Sequence, residues 1–178
     1  MPSTVVAKHA LAVCKPLPAL SLVVLLQTTP ICLNWLKSLL WAQQVIVVDC
    51  LGQHSSTTQW PSNTVVLPLS GYPHIVCQYR AALHAKSPWI LFVQANTHLN
   101  SAFQGSLHRL IQTTQEPFHA FACHWLLYGT SQAISPPVAV QAQLVQKSAY
   151  IRAVQQQTCI QPKVHAQSHY TLPVTAAE

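Results

Sequence analysis

The sequence predicts a single α/β domain with a mostly parallel central sheet flanked by helices. Two observations lead to this prediction. Apolar runs of strand length alternate with segments of helical periodicity, and half of the 178 residues are apolar. The length suits one domain, for which we expect a loose leader over residues 1–18, the folded domain over 19–170 and a tail over 171–178.

The elements follow in order along the first two thirds of the chain. Apolar runs predict strands over 21–26, 45–48, 64–69 and 89–93, and the continuous character of the first is typical of a strand buried on both faces. Apolar residues at helical spacing predict helices over 30–42, 75–85 and 101–114, and a polar helix is expected to begin within 55–59. Strand–helix alternation of this kind indicates parallel βαβ units with helices on both faces.

The last third of the chain is less regular. An aromatic-rich run predicts a strand over 118–128, and apolar and polar residues alternate over 138–145, which is typical of a strand with one solvated face. From about Pro162 onward the residues are expected to form a loop or a frayed tail.

The charge balance limits the classes of partner. The chain has nine Lys and Arg but only three Asp and Glu, so its net charge of +6 arises from missing acids. Basic residues do not cluster, and nucleic acid is therefore not an expected partner. Weak attraction to anionic lipid or to nucleotide phosphate stays open. Because no apolar run is long enough to span a bilayer and none precedes a cleavage site, we expect a cytoplasmic protein, with peripheral association at the inner face of the membrane as an option.

Cysteine and histidine are common but form no clear site. The six cysteines are scattered without a CxxC pair, so most are expected to be small buried apolar residues; they are Cys14, Cys32, Cys50, Cys77, Cys123 and Cys159. Cys159, His165 and His169 have a spacing that zinc sites use. With ten histidines such spacings arise by chance, and no metal site is expected. Four glycines, none in a phosphate-binding pattern, exclude a glycine-rich nucleotide loop.

Asp49 is the only acidic residue in the first 115 positions. It follows the predicted strand over 45–48 directly, and ligands of open α/β sheets bind just beyond such strand ends. A carboxylate at this position can accept hydrogen bonds from a nucleobase or a ribose. The alternative is that Asp49 only caps its own turn or the next helix, as many strand-end aspartates do.

Four segments together resemble glycosyltransferase family 2, and in particular its lipopolysaccharide-core β-1,4-glucosyltransferase-like branch. The segments are SLVVLL (21–26), LLWAQQVIVVD (39–49), QYRAALHAKSPWILFVQAN (78–96) and KVH (163–165). The second is similar to the family pattern slxwADEIVVVD. The likeness covers roughly residues 20–170. It implies the GT-A fold, a Rossmann-like domain, and inverting transfer of a hexose from a UDP-type nucleotide sugar to a cell-surface or lipid-linked saccharide.

The resemblance also assigns residues to a site. Asp49 falls on the family's nucleotide-binding aspartate, and His54 falls on the second acid of the same turn. The metal-binding DxD motif falls on Gln94 and Asn96, so both carboxylates are replaced by amides. Neutral amides bind a hard cation poorly because they offer dipoles rather than charge. A divalent cation such as Mn²⁺ or Mg²⁺ is therefore a doubtful cofactor.

Catalytic groups are harder to assign from the same resemblance. Arg80 or Lys86 could stabilise the departing nucleotide in place of a metal, and we assign Arg80 to nucleotide binding. His165 or His124 could act as acid or base, of which His165 is the candidate. Two functions follow: a glycosyltransferase with reduced or metal-independent activity, or a catalytically inactive relative that binds a nucleotide, a saccharide or a partner protein.

Overall fold

Strands and helices alternate along the chain. A computed structural model describes residues 17–26, 31–52, 59–95, 97, 99–126, 140–159 and 163–171. In chain order the elements are β1 (Leu17–Leu26), α1 (Leu33–Lys37), β2 (Ala42–Asp49), β3 (Thr64–Pro68), α2 (His74–His84), β4 (Trp89–Gln94), α3 (Ser101–Thr113), β5 (Phe118–Leu126), β6 (Val140–Gln146), α4 (Lys147–Gln155) and β7 (Lys163–Thr171).

The seven strands form one sheet in the order β3-β2-β1-β4-β6-β5-β7. The first four strands of this order run parallel, and β7 runs parallel to β5. Among the described strands, only β6 runs antiparallel to its neighbours, β4 and β5. Four of the six strand pairs are therefore parallel, which confirms the predicted fold class.

Helices cover both faces of this sheet. Successive side chains of β2 point to opposite faces, and Val45 and Ile46 are both fully buried, in two different apolar clusters. The first cluster packs against α1 and α3 through residues such as Leu36 and Leu107, and the second packs against α2 and α4 through Ala81 and others. Burial on both faces explains why the central strands are continuously apolar.

A polar network ties the strands together at the amino edge of the sheet. Gln44 of β2 is 5% exposed, and its Oε1 accepts hydrogen bonds from the Ser21 hydroxyl at 3.2 Å and the Lys86 backbone N–H at 2.9 Å. Its Nε2 donates to the His84 carbonyl at 3.5 Å. The Ser21 hydroxyl in turn accepts from the backbone N–H of Ser87 at 3.2 Å. These bonds join β1, β2 and the α2–β4 connection.

Several predicted elements differ from those observed. The first helix is only five residues long rather than spanning 30–42, because residues 38–41 form turns. The expectation of loop or tail after Pro162 was wrong, since β7 pairs with β5 over this segment. Helix α4 was not predicted, and its Tyr150 packs in one cluster with Val145, so the expected solvated face of β6 is covered at that residue.

Other predictions concern segments that lie wholly or partly outside the described residues. Strand β1 begins at Leu17, inside the expected leader, whose first 16 residues lie outside the described part of the chain. Most of the helix start expected within 55–59 and the residues after Thr171 also lie outside it. The longest described helix, α3, has 13 residues, and no described helix is long and apolar enough to cross a membrane.

The described cysteines differ in burial. Of the four described cysteines, Cys77 is buried and Cys50 is half-buried, whereas Cys32 and Cys159 are exposed. The reason is their position, since Cys32 precedes α1 and Cys159 follows α4 in surface connections. The structure does not describe the side chains of Cys14 and Cys123.

Candidate functional site

The predicted site lies at the carboxyl edge of the sheet, where β2, β1 and β4 end side by side. Leu26 of β1 pairs with Asp49 of β2, and Leu25 of β1 pairs with Gln94 of β4. Because β1 alone separates these two strands, their ends are about 10 Å apart at the backbone. The structure therefore brings Asp49 and Gln94 to the same edge, as the sequence predicted.

The Asp49 carboxylate is engaged in its own turn. Its Oδ1 accepts hydrogen bonds from the backbone N–H groups of Leu51 at 3.0 Å and Gly52 at 2.9 Å. The residue is 3% exposed, and its carbonyl oxygen accepts the backbone N–H of Leu69 at 3.0 Å, which ties β2 to the end of β3. This geometry matches the capping role that the sequence left open as the alternative to nucleotide binding.

Gly52 completes this turn in a left-handed conformation. Its φ of +68° is costly for any residue with a side chain, and a Cβ at this position would approach the Ser70 hydroxyl to 3.3 Å. Both the backbone conformation and the neighbouring β3–α2 connection therefore favour glycine at this position. The turn over residues 49–52 is stabilised by this glycine and by the hydrogen bonds to Asp49.

The segment at the degenerate DxD position is a second hydrogen-bonded turn. The Gln94 carbonyl accepts from the Thr97 hydroxyl at 2.8 Å and from the Thr97 backbone N–H at 3.3 Å. The Trp35 indole N–H then donates to the Thr97 carbonyl at 2.6 Å, which anchors this turn to α1. The Gln94 side chain is exposed. Asn96 lies outside the described residues.

The carboxylates present do not fit a divalent cation at this edge. Asp49 and Glu116 are the only acids among the described residues. Glu116 lies at the opposite edge, because the adjacent Pro117 carbonyl accepts from Gln146, which pairs with the first residue of β4, Trp89. No three His, Cys, Asp or Glu side chains in the described part of the chain are grouped to hold a metal. Glu116 therefore cannot supply a second carboxylate for a cation at the Asp49 edge.

The predicted cations Arg80 and Lys86 lie in different places. The Arg80 guanidinium lies 4.4 Å from the centre of the Tyr72 ring on the exposed side of α2, a cation–π contact. Lys86 lies beyond the other end of α2, where its backbone N–H binds Gln44, so it belongs to the amino edge and cannot serve the site. His54 lies outside the described residues.

His165 lies on β7, at the far side of the sheet. Through the registers, its backbone is level with Phe121 of β5, Ala142 of β6 and Val93 near the end of β4. It is thus three strands from β4 and five from β2, or roughly 14 and 24 Å at ordinary strand spacing. The structure therefore does not bring the backbone of His165 to Asp49. His124, the other candidate, lies on the adjacent β5.

A pair of thiols beside the Asp49 turn was not predicted. The Sγ atoms of Cys50 and Cys77 are 3.6 Å apart. Burial first, then the neighbouring Cys77 and Asp49, raises the pKa of the Cys50 thiol to about 12. The two cysteines are 27 residues apart in sequence, and only the packing of α2 against the end of β2 makes them neighbours. No spacing rule could have found the pair.

A separate cleft of about 200 Å³ opens between α2, α4 and the sheet. The lining side chains include Ile75, Gln78, Phe118, Gln143, Val145 and Tyr150, none of them a predicted site residue. The Tyr150 hydroxyl is buried without a hydrogen-bond partner among the described residues. Burial raises the pKa of this phenol to about 12. The lining also includes His119, and the cleft is distinct from the Asp49 edge.

Neither a protein-family model nor a curated protein matches the sequence. The fold nevertheless occurs among solved structures. The 2-C-methyl-D-erythritol 4-phosphate cytidylyltransferase of Francisella tularensis matches with a TM-score of 0.55 and 12% identity, over 88% of this chain and 94% of its own. The enzyme of that name from Thermus thermophilus matches with a TM-score of 0.50 and 14% identity, over 83% and 88%.

The bifunctional IspDF of Campylobacter jejuni matches with a TM-score of 0.51 and 12% identity, over 85% of this chain and 50% of its own. At such identities the likeness shows the fold alone. The GT-A-like, Rossmann-like fold implied by the sequence resemblance is therefore confirmed, in a form shared with nucleotidyltransferases. Membership of glycosyltransferase family 2 finds no support among these matches.

Proposed function

We propose that this protein binds a pyrimidine nucleotide or nucleotide sugar at the carboxyl edge of its sheet and does not carry out metal-dependent sugar transfer. The observation that carries the proposal is the pair of hydrogen-bonded turns after Asp49 and Gln94 on either side of the end of β1. Ligands of open α/β sheets bind at this edge. The structural neighbours named cytidylyltransferases and the UDP-type donor implied by the resemblance both favour a pyrimidine nucleotide.

The missing catalytic groups favour binding over transfer. A divalent cation that neutralises a departing diphosphate needs several oxygen ligands, usually including carboxylates, and Asp49 is the only described carboxylate at this edge. An inverting transfer also needs a general base within hydrogen-bond reach of the acceptor hydroxyl. The Asp49 carboxylate is already engaged by two backbone N–H groups. The protein is then a catalytically inactive relative of transferases with this fold.

Metal-independent glycosyl transfer to a cell-surface or lipid-linked saccharide is the second candidate function. It is favoured by the position of His165, whose backbone lies level with Val93 near the end of β4. In this alternative the imidazole serves as general base for an acceptor bound over β6 and β5, which lie between β4 and β7 in the sheet. Arg80 contributes positive charge toward the nucleotide. The net charge of +6 would favour peripheral binding to anionic lipid that carries such an acceptor.

Calorimetric titration distinguishes these functions. UDP, UDP-glucose and CTP are titrated into the protein, each with Mn²⁺ and with EDTA. We expect binding of at least one nucleotide with an affinity that Mn²⁺ changes by less than about twofold, because no second carboxylate is available among the described residues of this edge to hold the ion. Glu116→Gln, which removes an acid at the opposite edge, is the matched control and should leave the affinity unchanged.

Three results would contradict the proposal in different ways. Affinity that rises tenfold or more with Mn²⁺, together with release of UDP from UDP-glucose in the presence of an acceptor, would show an active metal-dependent transferase. Release of UDP in EDTA that is lost in His165→Ala would favour the second candidate. Failure of all three nucleotides to bind would exclude both functions and leave a protein-interaction role.

A further inference from the structure

The thiol pair beside the Asp49 turn lies where two separate elements meet. Cys50 directly follows β2 and is half-buried, whereas Cys77 lies on the inner side of α2 and is fully buried. Their Sγ atoms are 3.6 Å apart. A disulfide bond is about 2.05 Å long, so the sulfurs must approach by about 1.5 Å to form one. Cys50 lies in a bend rather than in a regular element, so its side chain can make most of this movement.

The surroundings of the pair keep the two sulfurs facing each other. The Cys77 thiol is directed to the carbonyl oxygens of Leu69 and Tyr72, with sulfur–oxygen distances of 3.7 and 3.6 Å, which hold its side chain against the β3–α2 connection. The Cys50 thiol is within 3.8 Å of the Val48 carbonyl and otherwise faces Cys77. Both sulfurs are thus positioned by backbone groups at the same corner of the domain.

We propose that Cys50 and Cys77 are a dithiol modification site that forms a reversible intramolecular disulfide, with a low-molecular-weight disulfide such as oxidised glutathione as the oxidant. The bond would tether the Asp49 turn to α2. This inference does not depend on nucleotide binding, since it concerns only the two thiols and the elements that carry them.

The reaction balances in two exchange steps. The more accessible Cys50 loses its proton and attacks one sulfur of oxidised glutathione, which forms a mixed disulfide and releases one glutathione thiolate. Cys77 then loses its proton and attacks the Cys50 sulfur, which forms the protein disulfide and releases the second glutathione. The protein loses two protons and two electrons, and two molecules of reduced glutathione carry them away. Excess dithiothreitol reverses both steps.

The raised pKa of Cys50 makes the first step slow at neutral pH, because the thiolate is the attacking species. The proximity of Cys77 makes the second step fast, because the mixed disulfide at Cys50 forms within reach of the Cys77 thiol.

Cys32 and Cys159 provide an internal comparison. They are exposed, and they adjoin α1 and α4, which pack on opposite faces of the sheet, so they cannot pair with each other.

The test is mass spectrometry of the folded protein after incubation with oxidised glutathione at pH 8.5 and alkylation with iodoacetamide. Trypsin cleaves after Lys37 and Arg80 and gives a fragment of residues 38–80 whose only cysteines are Cys50 and Cys77. We expect this fragment to be lighter by two hydrogens and not alkylated, whereas Cys32 and Cys159 carry glutathione. Treatment with dithiothreitol should restore both alkylation sites.

Matched variants complete the test. Cys50→Ser should prevent the loss of two hydrogens, whereas Cys32→Ser should leave it unchanged. If Cys50→Ser does not fold, Cys77→Ala should likewise prevent the loss of two hydrogens. The mass of the wild-type fragment tests the proposal even if neither variant folds. The proposal is overturned if Cys50 and Cys77 are recovered alkylated or with separate glutathione adducts while Cys32 and Cys159 react. It is also overturned if the bond forms only in urea, because the native packing would then not be its cause.

Discussion

Replacement of Asp49 tests whether its carboxylate supports the fold or the ligand. Its Oδ1 accepts two backbone N–H groups, from Leu51 and Gly52, at 3.0 and 2.9 Å. Hydrogen bonds to a charged group contribute about 1.5–3 kcal/mol each, but Leu51 is only half-buried and Gly52 is exposed, so water can replace part of them. Asp49→Ala should therefore lower the free energy of unfolding by about 2–3 kcal/mol, and Asp49→Asn, which keeps an acceptor oxygen, by about 1 kcal/mol or less.

Urea unfolding followed by circular dichroism measures both changes, with Glu116→Gln as the control because Glu116 is exposed and its loss should change stability by less than about 0.5 kcal/mol. Equal stability of Asp49→Ala and the wild type would refute the structural role. Nucleotide affinity is then measured for Asp49→Asn, whose turn is intact. Loss of affinity in this variant would assign the carboxylate to ligand binding, whereas unchanged affinity would leave Asp49 with the turn alone.

Three further predictions use the same unfolding assay. Gly52→Ala should cost about 1–2 kcal/mol because φ is +68° there; an unchanged midpoint would show that the turn relaxes freely. Gln44→Ala should cost about 2–4 kcal/mol because the Ser21 hydroxyl and the Lys86 N–H lose their acceptor; a cost below about 1 kcal/mol would contradict this. The pKa of Tyr150 is raised from 10.0 to about 12, so the native state keeps a proton that the unfolded state loses, and stability should fall as pH rises from 10 to 12. Tyr150→Phe should be no less stable than the wild type at pH 7, and its stability should fall less over that range.

The parallel half of the fold could be predicted because its sequence signal is strong. The continuous apolar run at Val45–Val48 is explained by burial on both faces of the sheet, and the same holds for the run that includes Leu22 and Val23. Helix α2 matched within a residue at each end because its apolar face repeats at helical spacing and Pro73 precedes it. Where the local sequence pattern and the tertiary packing favour the same element, the sequence alone is sufficient to predict that element.

Strand β7 and helix α4 could not be predicted, because their own sequences carry only a weak signal. Strand β7, KVHAQSHYT, alternates small, polar and aromatic residues and lacks the apolar run of a central strand. It exists as a strand because β5 offers a parallel edge along its length, which is information from a distant part of the chain. Helix α4 begins at Lys147, whose ammonium caps the end of α2 through the Ala85 carbonyl at 2.6 Å, again a long-range contact.

Gln44 and Gln94 both stand where the resembled family pattern has an acid, but their surroundings differ. At Gln44, where the resembled family pattern has an acid, the amide both accepts from Ser21 and Lys86 and donates to the His84 carbonyl. A carboxylate has no proton to donate and would be buried at 5% exposure, so the fold itself favours the amide. Gln94 is exposed at the end of β4, and its turn is closed by backbone and Thr97 contacts that an aspartate would also permit. Folding therefore does not explain why position 94 is an amide. In the function proposed above, this amide would leave the edge without the charge that a metal-dependent transfer needs, while the Asp49 turn stays in place.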